Sequence, residues 1–140
     1  MSDAFMNESP FYMALTSDPE NVSEVQPYID NIIKECNIKN DLYGNILVSV
    51  TEAVTNAIIH GNQADENKKV TLNSRITEKM LAVKITDEGP GFDFDDVPDP
   101  TSPENIFNLN GRGVFLMRQL SDGVVFSDEG STVEIKFKLH

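Results

Sequence analysis

A chain of 140 residues with 39% hydrophobic and 24% charged residues has the composition of one globular domain with its own core, which excludes a disordered or low-complexity chain. Its 23 acidic residues against 11 basic ones leave a formal net charge of -12, a field that repels nucleic acid and anionic lipid and argues against direct binding of either. The only cysteine, Cys36, rules out an intrachain disulfide and fits a reducing compartment.

Residues 1–10 carry no basic region ahead of a long apolar run, so they read as a short N-terminal extension to a domain spanning 11–140. No apolar stretch reads as long enough to cross a bilayer, and the cytoplasm is the expected location. Residues 11–15 suit a first strand. Ser17, Asp18 and Pro19 then supply helix-starting chemistry. Val22, Val25, Ile29, Ile32 and Ile33 recur at helical spacing, with Pro27 among them, so this helix is either kinked or begins later than Pro19 suggests. Cys36 follows as a buried structural thiol.

Asp41 is placed to cap a second helix running to about His60. At about 100° per residue, Tyr43, Ile46, Leu47, Val50, Val54, Ala57 and Ile58 share one apolar face. Asn45, Ser49, Glu52, Asn56 and His60 form a polar stripe on the other side, free to face a ligand. Gly61 and Asn62 end the helix. Residues 69–76 and 80–86 then read as strands joined by a tight turn, the second alternating Leu81, Val83 and Ile85 with Ala82, Lys84 and Thr86. Residues 92–110 form a long loop with an acidic run at Asp93, Asp95, Asp96 and Asp99, which reads either as a solvated lid or as a partner surface. A short helix over 114–120 precedes strands at 123–126 and 132–139. This order gives an α+β fold: a two-layer sandwich with a mostly antiparallel mixed sheet and helices on one face. The phosphate-loop and dinucleotide fingerprints are absent.

Three constellations carry chemistry. Glu52 and Asn56 lie one turn apart on one helical face, where an amide oxygen suits Mg²⁺ and a carboxylate suits proton abstraction. The same pair also reads as two solvated residues, and His60 reads either as lining the site or as a helix-end surface residue. Asp87-Glu88-Gly89-Pro90-Gly91-Phe92 follows a strand directly, which lets the backbone turn sharply beside a flat ligand while Asp87 accepts from an exocyclic amine. It is also good plain turn chemistry. Gly111-Arg112-Gly113 stands just before the third helix, where bare N–H groups suit a phosphate; Arg112 either adds charge there or points to solvent, and a glycine-rich helix start is also common without a ligand.

Together these residues closely resemble the GHKL ATPase superfamily, and within it the anti-sigma factor serine/threonine kinase group. The run Glu52-Ala53-Val54-Thr55-Asn56-Ala57-Ile58-Ile59-His60-Gly61 is similar to that family's N box. The Asp87 to Phe92 motif is similar to its first glycine box, and Gly111-Arg112-Gly113-Val114-Phe115-Leu116-Met117 to its second. The resemblance implies a Bergerat-type ATP-binding fold with ATP and Mg²⁺ as cofactors. It implies Glu52 as general base, Asn56 as the Mg²⁺ ligand and Asp87 as the adenine contact. His60, Gly89, Gly91, Phe92, Gly111, Arg112, Gly113 and Val114 would complete the nucleotide site. It further implies phosphorylation of a STAS-type anti-anti-sigma protein, a sigma factor as second partner, and a homodimer. The alternative is a nucleotide-gated module that sequesters a sigma factor or another regulator without phosphotransfer.

Overall fold

The computed structural model describes the backbone of residues 11–90 and 109–139, and their side chains except at 109–112. The expectations for residues 1–10, for Gly91 and Phe92, and for the acidic run at Asp93, Asp95, Asp96 and Asp99 lie outside the described residues.

The first strand, β1 (Phe11–Thr16), is followed by Ser17, after which Asp18 caps a 3-10 turn, Pro19–Glu24, by accepting the Glu20 N–H at 3.0 Å. The first α-helix, α1 (Val25–Glu35), therefore starts after this turn. Pro27 falls in its opening turn, where a missing N–H leaves no bond unmade, and this resolves the kink-or-late-start alternative in favour of the late start. Val25, Ile29 and Ile32 bury one face. The Tyr28 hydroxyl donates to the Phe11 carbonyl at 2.8 Å and meets the Ser74 hydroxyl at 2.6 Å, tying α1 to the sheet. Burial pushes that phenol up to about 12, against the opposing effect of the Ser74 bond. Cys36 closes α1 half-buried rather than buried, and desolvation, aided by Glu35, holds its thiol above the ordinary value.

Asp41 does not cap the second helix. It sits inside a 3-10 turn, Asn40–Leu42, and α2 (Tyr43–Asn56) follows without a side-chain cap. The helix continues as a turn of π-helix, Ala57–Gly61. Ile46, Val50, Val54, Ala57 and Ile58 are buried as their spacing requires, but so are Ala53 and Ser49. The polar stripe is thus narrower than expected. The reason is geometric: α2 is the middle of the helical layer, touching α1 on one side and the third helix on the other, so the sheet is not its only cover. The continuous helical run Asn40–Gly61 also has the length and hydropathy of a membrane span, contrary to the sequence reading. Its apolar face is nonetheless committed to this core.

Strands β2 (Lys69–Ile76) and β3 (Met80–Thr86) form the expected hairpin. Helix α3 (Leu109–Leu120) is followed by β4 (Gly123–Ser127) and β5 (Thr132–Lys138). The five strands run in the order β1-β2-β3-β5-β4, and every described pairing is antiparallel. Register places Leu72, Ile85 and Val133 in one row and Ser74, Val83 and Ile135 in the next. These residues face the helices, whereas Asn73, Lys84 and Lys138 alternate onto the uncovered face. Ile29, Ile32, Ile46, Ile58, Leu72, Leu81 and Ile135 lose essentially all solvent contact, each contributing about 1.5–3 kcal/mol. The sheet and α2 converge at one end, where the strand ends of β3 and β5 meet the π-helical turn.

Candidate functional site

A cleft opens at that convergence. Its floor is apolar, made by Ala53 of α2, Ala57 of the π-helical turn, Ile85 of β3, Met117 of α3 and Val133 of β5, with Phe126 of β4 at its side. Asn56, His60, Asp87 and Ser131 supply its polar edge. A flat apolar slot with a few convergent polar groups is the ordinary form of a small-molecule site.

Asp87 stands immediately beyond β3, half-buried, with its backbone N–H donating to the Ser131 carbonyl at 2.9 Å. Its Oδ1 accepts the Gly89 N–H at 2.8 Å. Burial raises its carboxyl above the ordinary aspartate value, opposed by the Gly89 bond and by the charge of Lys68. The other oxygen lies over Gly61. A Cβ on Gly61 would collide with the Asp87 carboxylate, 2.5 Å from its Cγ, and a Cβ on Gly89 would overlap the Gly61 carbonyl. Gly61 and Gly89 are thus glycines because helix end and turn are pressed together, a closer reason than turn flexibility.

The second constellation meets the third in the same way. A Cβ on the buried Gly113 would come within 2.9 Å of Asn56 Nδ2 and 3.1 Å of Glu52 Oε2. Glu52 and Asn56 therefore lie against α3, both partly exposed, and the Asn56 Nδ2 has no hydrogen-bond partner among the described residues although it is shielded from solvent. Gly111, Arg112 and Gly113 fall inside α3, which begins at Leu109 rather than after them, so this motif is the first turns of the helix and not a preceding loop. The N–H groups of the described helix start therefore begin at Leu109. Val114 is fully buried in the core and does not line the cleft. His60 does line it, exposed.

One buried polar residue was read only as a helix stop. Asn62 has no exposed surface, and its side chain bonds Ser17, Lys69 and Glu88. A polar residue after a helix-ending glycine looks the same in sequence whether it points outward or inward. Ser17, also fully buried, was absorbed into a helix-start signal.

The sequence model of the histidine kinase-like ATPase domain matches residues 15–137. The chain belongs to this family. Among individual relatives it is 30% identical over 128 residues to the serine-protein kinase RsbW of Bacillus subtilis (strain 168), covering 86% of this chain and 80% of that protein. The RsbW protein of Bacillus licheniformis is 30% identical over 130 residues, covering 88% and 81%. That of Listeria innocua is 27% identical over 128 residues, covering 86% and 82%.

Within a histidine kinase-like ATPase domain, the donor set here suits a nucleotide. The apolar slot has the lining that suits a flat base, and the half-buried carboxylate beside it is a hydrogen-bond acceptor. The orphaned Asn56 amide, beside Glu52, is a polar group left without an internal partner at the other end. Among the described residues no group of three His, Cys, Asp or Glu side chains is placed to hold a metal by itself. A Mg²⁺ ion would take the Oδ1 of Asn56 as its protein ligand and otherwise phosphate and water, while the unpartnered Nδ2, a donor, would suit a phosphate oxygen.

Proposed function

We propose that this chain is a cytoplasmic Mg-ATP-dependent serine/threonine protein kinase that acts on a small STAS-type anti-anti-sigma regulator and also engages a sigma factor. The observation that carries the reading is the shared approach of Glu52 and Asn56 to Gly113, with Asn56 itself lining the same slot as Asp87. Membership in the ATPase family supports nucleotide use, and the RsbW relatives are named serine-protein kinases.

In this reading Asp87 receives the adenine amine, with Ile85, Met117 and Val133 covering the ring. Asn56 is the residue that would hold Mg²⁺, and the open N–H groups at the start of α3 face phosphate. Bound Mg-ATP supplies the transferable phosphoryl group and neutralises its charge. Glu52 accepts the proton of the incoming seryl hydroxyl. Glu52 suits that task by position: it shares a helical face with Asn56, one turn away, and remains partly open to an approaching protein.

Incubation with γ-labelled Mg-ATP and the STAS-domain proteins of the same genome tests this. Label is expected on a serine or threonine of one candidate. The Glu52→Gln variant is expected to transfer at least about 100-fold more slowly with nearly unchanged nucleotide affinity. Wild-type transfer by that variant would remove Glu52 from the chemistry. Nucleotide binding without transfer to any partner would favour the sequestering module instead.

A further inference from the structure

We infer that Asn62 is the positioning residue of the base-recognition site, acting on Asp87 from behind the cleft; this rests on the proposed adenine contact of Asp87. Asn62 does not line the cleft. It stands between the π-helical turn that ends at Gly61, the ends of β1 and β2, and the turn at Asp87 to Gly89. Its Nδ2 donates to Ser17 Oγ at 2.8 Å and to the Lys69 carbonyl at 3.1 Å, and its Oδ1 accepts the Glu88 N–H at 2.8 Å.

The chemistry of these partners allows one orientation of the amide. The Lys69 carbonyl can only accept and so must face the NH₂ group, while the Glu88 N–H can only donate and so must face the oxygen. Ser17 uses its own proton toward the Lys68 carbonyl at 2.7 Å, leaving its oxygen to receive from Asn62. Glu88 is held a second time, because its carboxylate accepts the Lys69 N–H. The residue next to Asp87 is therefore fixed at both its backbone and its side chain. Gly61, the residue before Asn62, is the surface against which the Asp87 carboxylate rests. One buried amide thus sets the distance between the helix end and the turn, and with it the direction of the carboxylate.

No hydrophobic residue could do this. Nor could an aspartate, which would oppose the Lys69 carbonyl with a second oxygen. The cost of losing such a buried network falls on whatever it aims.

Affinities for Mg-ATP and Mg-ITP, which differ at the exocyclic amine, separate aiming from general support. The wild-type protein is expected to prefer ATP. In Asn62→Ala, ATP affinity falls by about tenfold, in line with the loss of a buried hydrogen-bond network, while ITP affinity changes little. The ATP/ITP ratio then approaches that of Asp87→Asn. Ser17→Ala, which removes one of the amide's partners, gives a smaller drop in the same ratio and serves where Asn62→Ala does not fold. A ratio kept at the wild-type value in the folded variants, even with a lowered Tm, would overturn the positioning role. A wild-type protein with no ATP preference, matched by Asp87→Asn, would overturn the adenine reading itself.

Discussion

The two ends of the cleft are built on opposite terms. At the Asp87 end the turn is tied into the fold by internal bonds: Asn62 holds Glu88, Gly89 holds one oxygen of Asp87, and Ser131 holds the Asp87 backbone. At the Asn56 end the helices touch through Gly113, yet the Asn56 amide nitrogen is shielded from solvent with no partner among the described residues. Buried polar groups in folded proteins are nearly always paired, so an orphan in a cleft is informative. The first end is finished by the fold. The second is left for something the fold does not contain.

Breaking the finished end has the largest expected effect. A Gly89→Ala side chain meets the Gly61 backbone carbonyl, which cannot rotate away as a flexible side chain would. The turn or the π-helical segment must shift, at a cost of about 3 kcal/mol or more, the range of overpacking and backbone strain. Urea unfolding and Mg-ATP titration should show both stability and binding lost. A variant with wild-type values for both would mean that the two segments part without consequence.

The unfinished end should respond differently. Truncating Asn56 to alanine removes a polar group that contributes no internal bond, so the nucleotide-free protein should keep its stability to within about 1 kcal/mol. The Mg²⁺-dependent part of ATP affinity should fall about tenfold, an effect smaller than that at Gly89 and confined to the bound state. Titrations with and without Mg²⁺ read this directly. A loss of stability without a change in Mg²⁺ dependence would place Asn56 in the scaffold instead.

How much of this was legible follows the same division. The hairpin of β2 and β3 was readable to the residue because Leu81, Val83 and Ile85 alternate and the intervening turn is short. Glu52 and Asn56 were readable as a pair because helical spacing puts them on one face. Ser49 was misplaced on the polar stripe because periodicity gives a helix's faces and not how many neighbours cover them. The start of α3 was set too late because glycines read as a loop, although a helix's first turn tolerates them. The role of Asn62 depends on segments far apart in sequence, Ser17, Lys69 and Glu88, and no local pattern joins them.

The smallest expected effect concerns the one ionised group that the finished end holds at a disadvantage. Burial raises the Asp87 carboxyl, outweighing the Gly89 N–H and the Lys68 charge that favour ionisation. A carboxyl raised in the folded state binds its proton more tightly there than in the unfolded chain. Its contribution to stability is therefore fully present below the ordinary aspartate value and is lost as pH rises through the raised one. At neutral pH the charge is a burden on the nucleotide-free fold. Asp87→Asn keeps an oxygen for the Gly89 N–H and removes that burden. The variant should accordingly be more stable than wild type at pH 7, with the advantage shrinking on acidification, while its ATP preference disappears. Denaturation at several pH values, without nucleotide, measures the difference. A gap that stays constant with pH, or a variant less stable at neutrality, would show that the half-buried carboxylate is not held for binding at the expense of the fold.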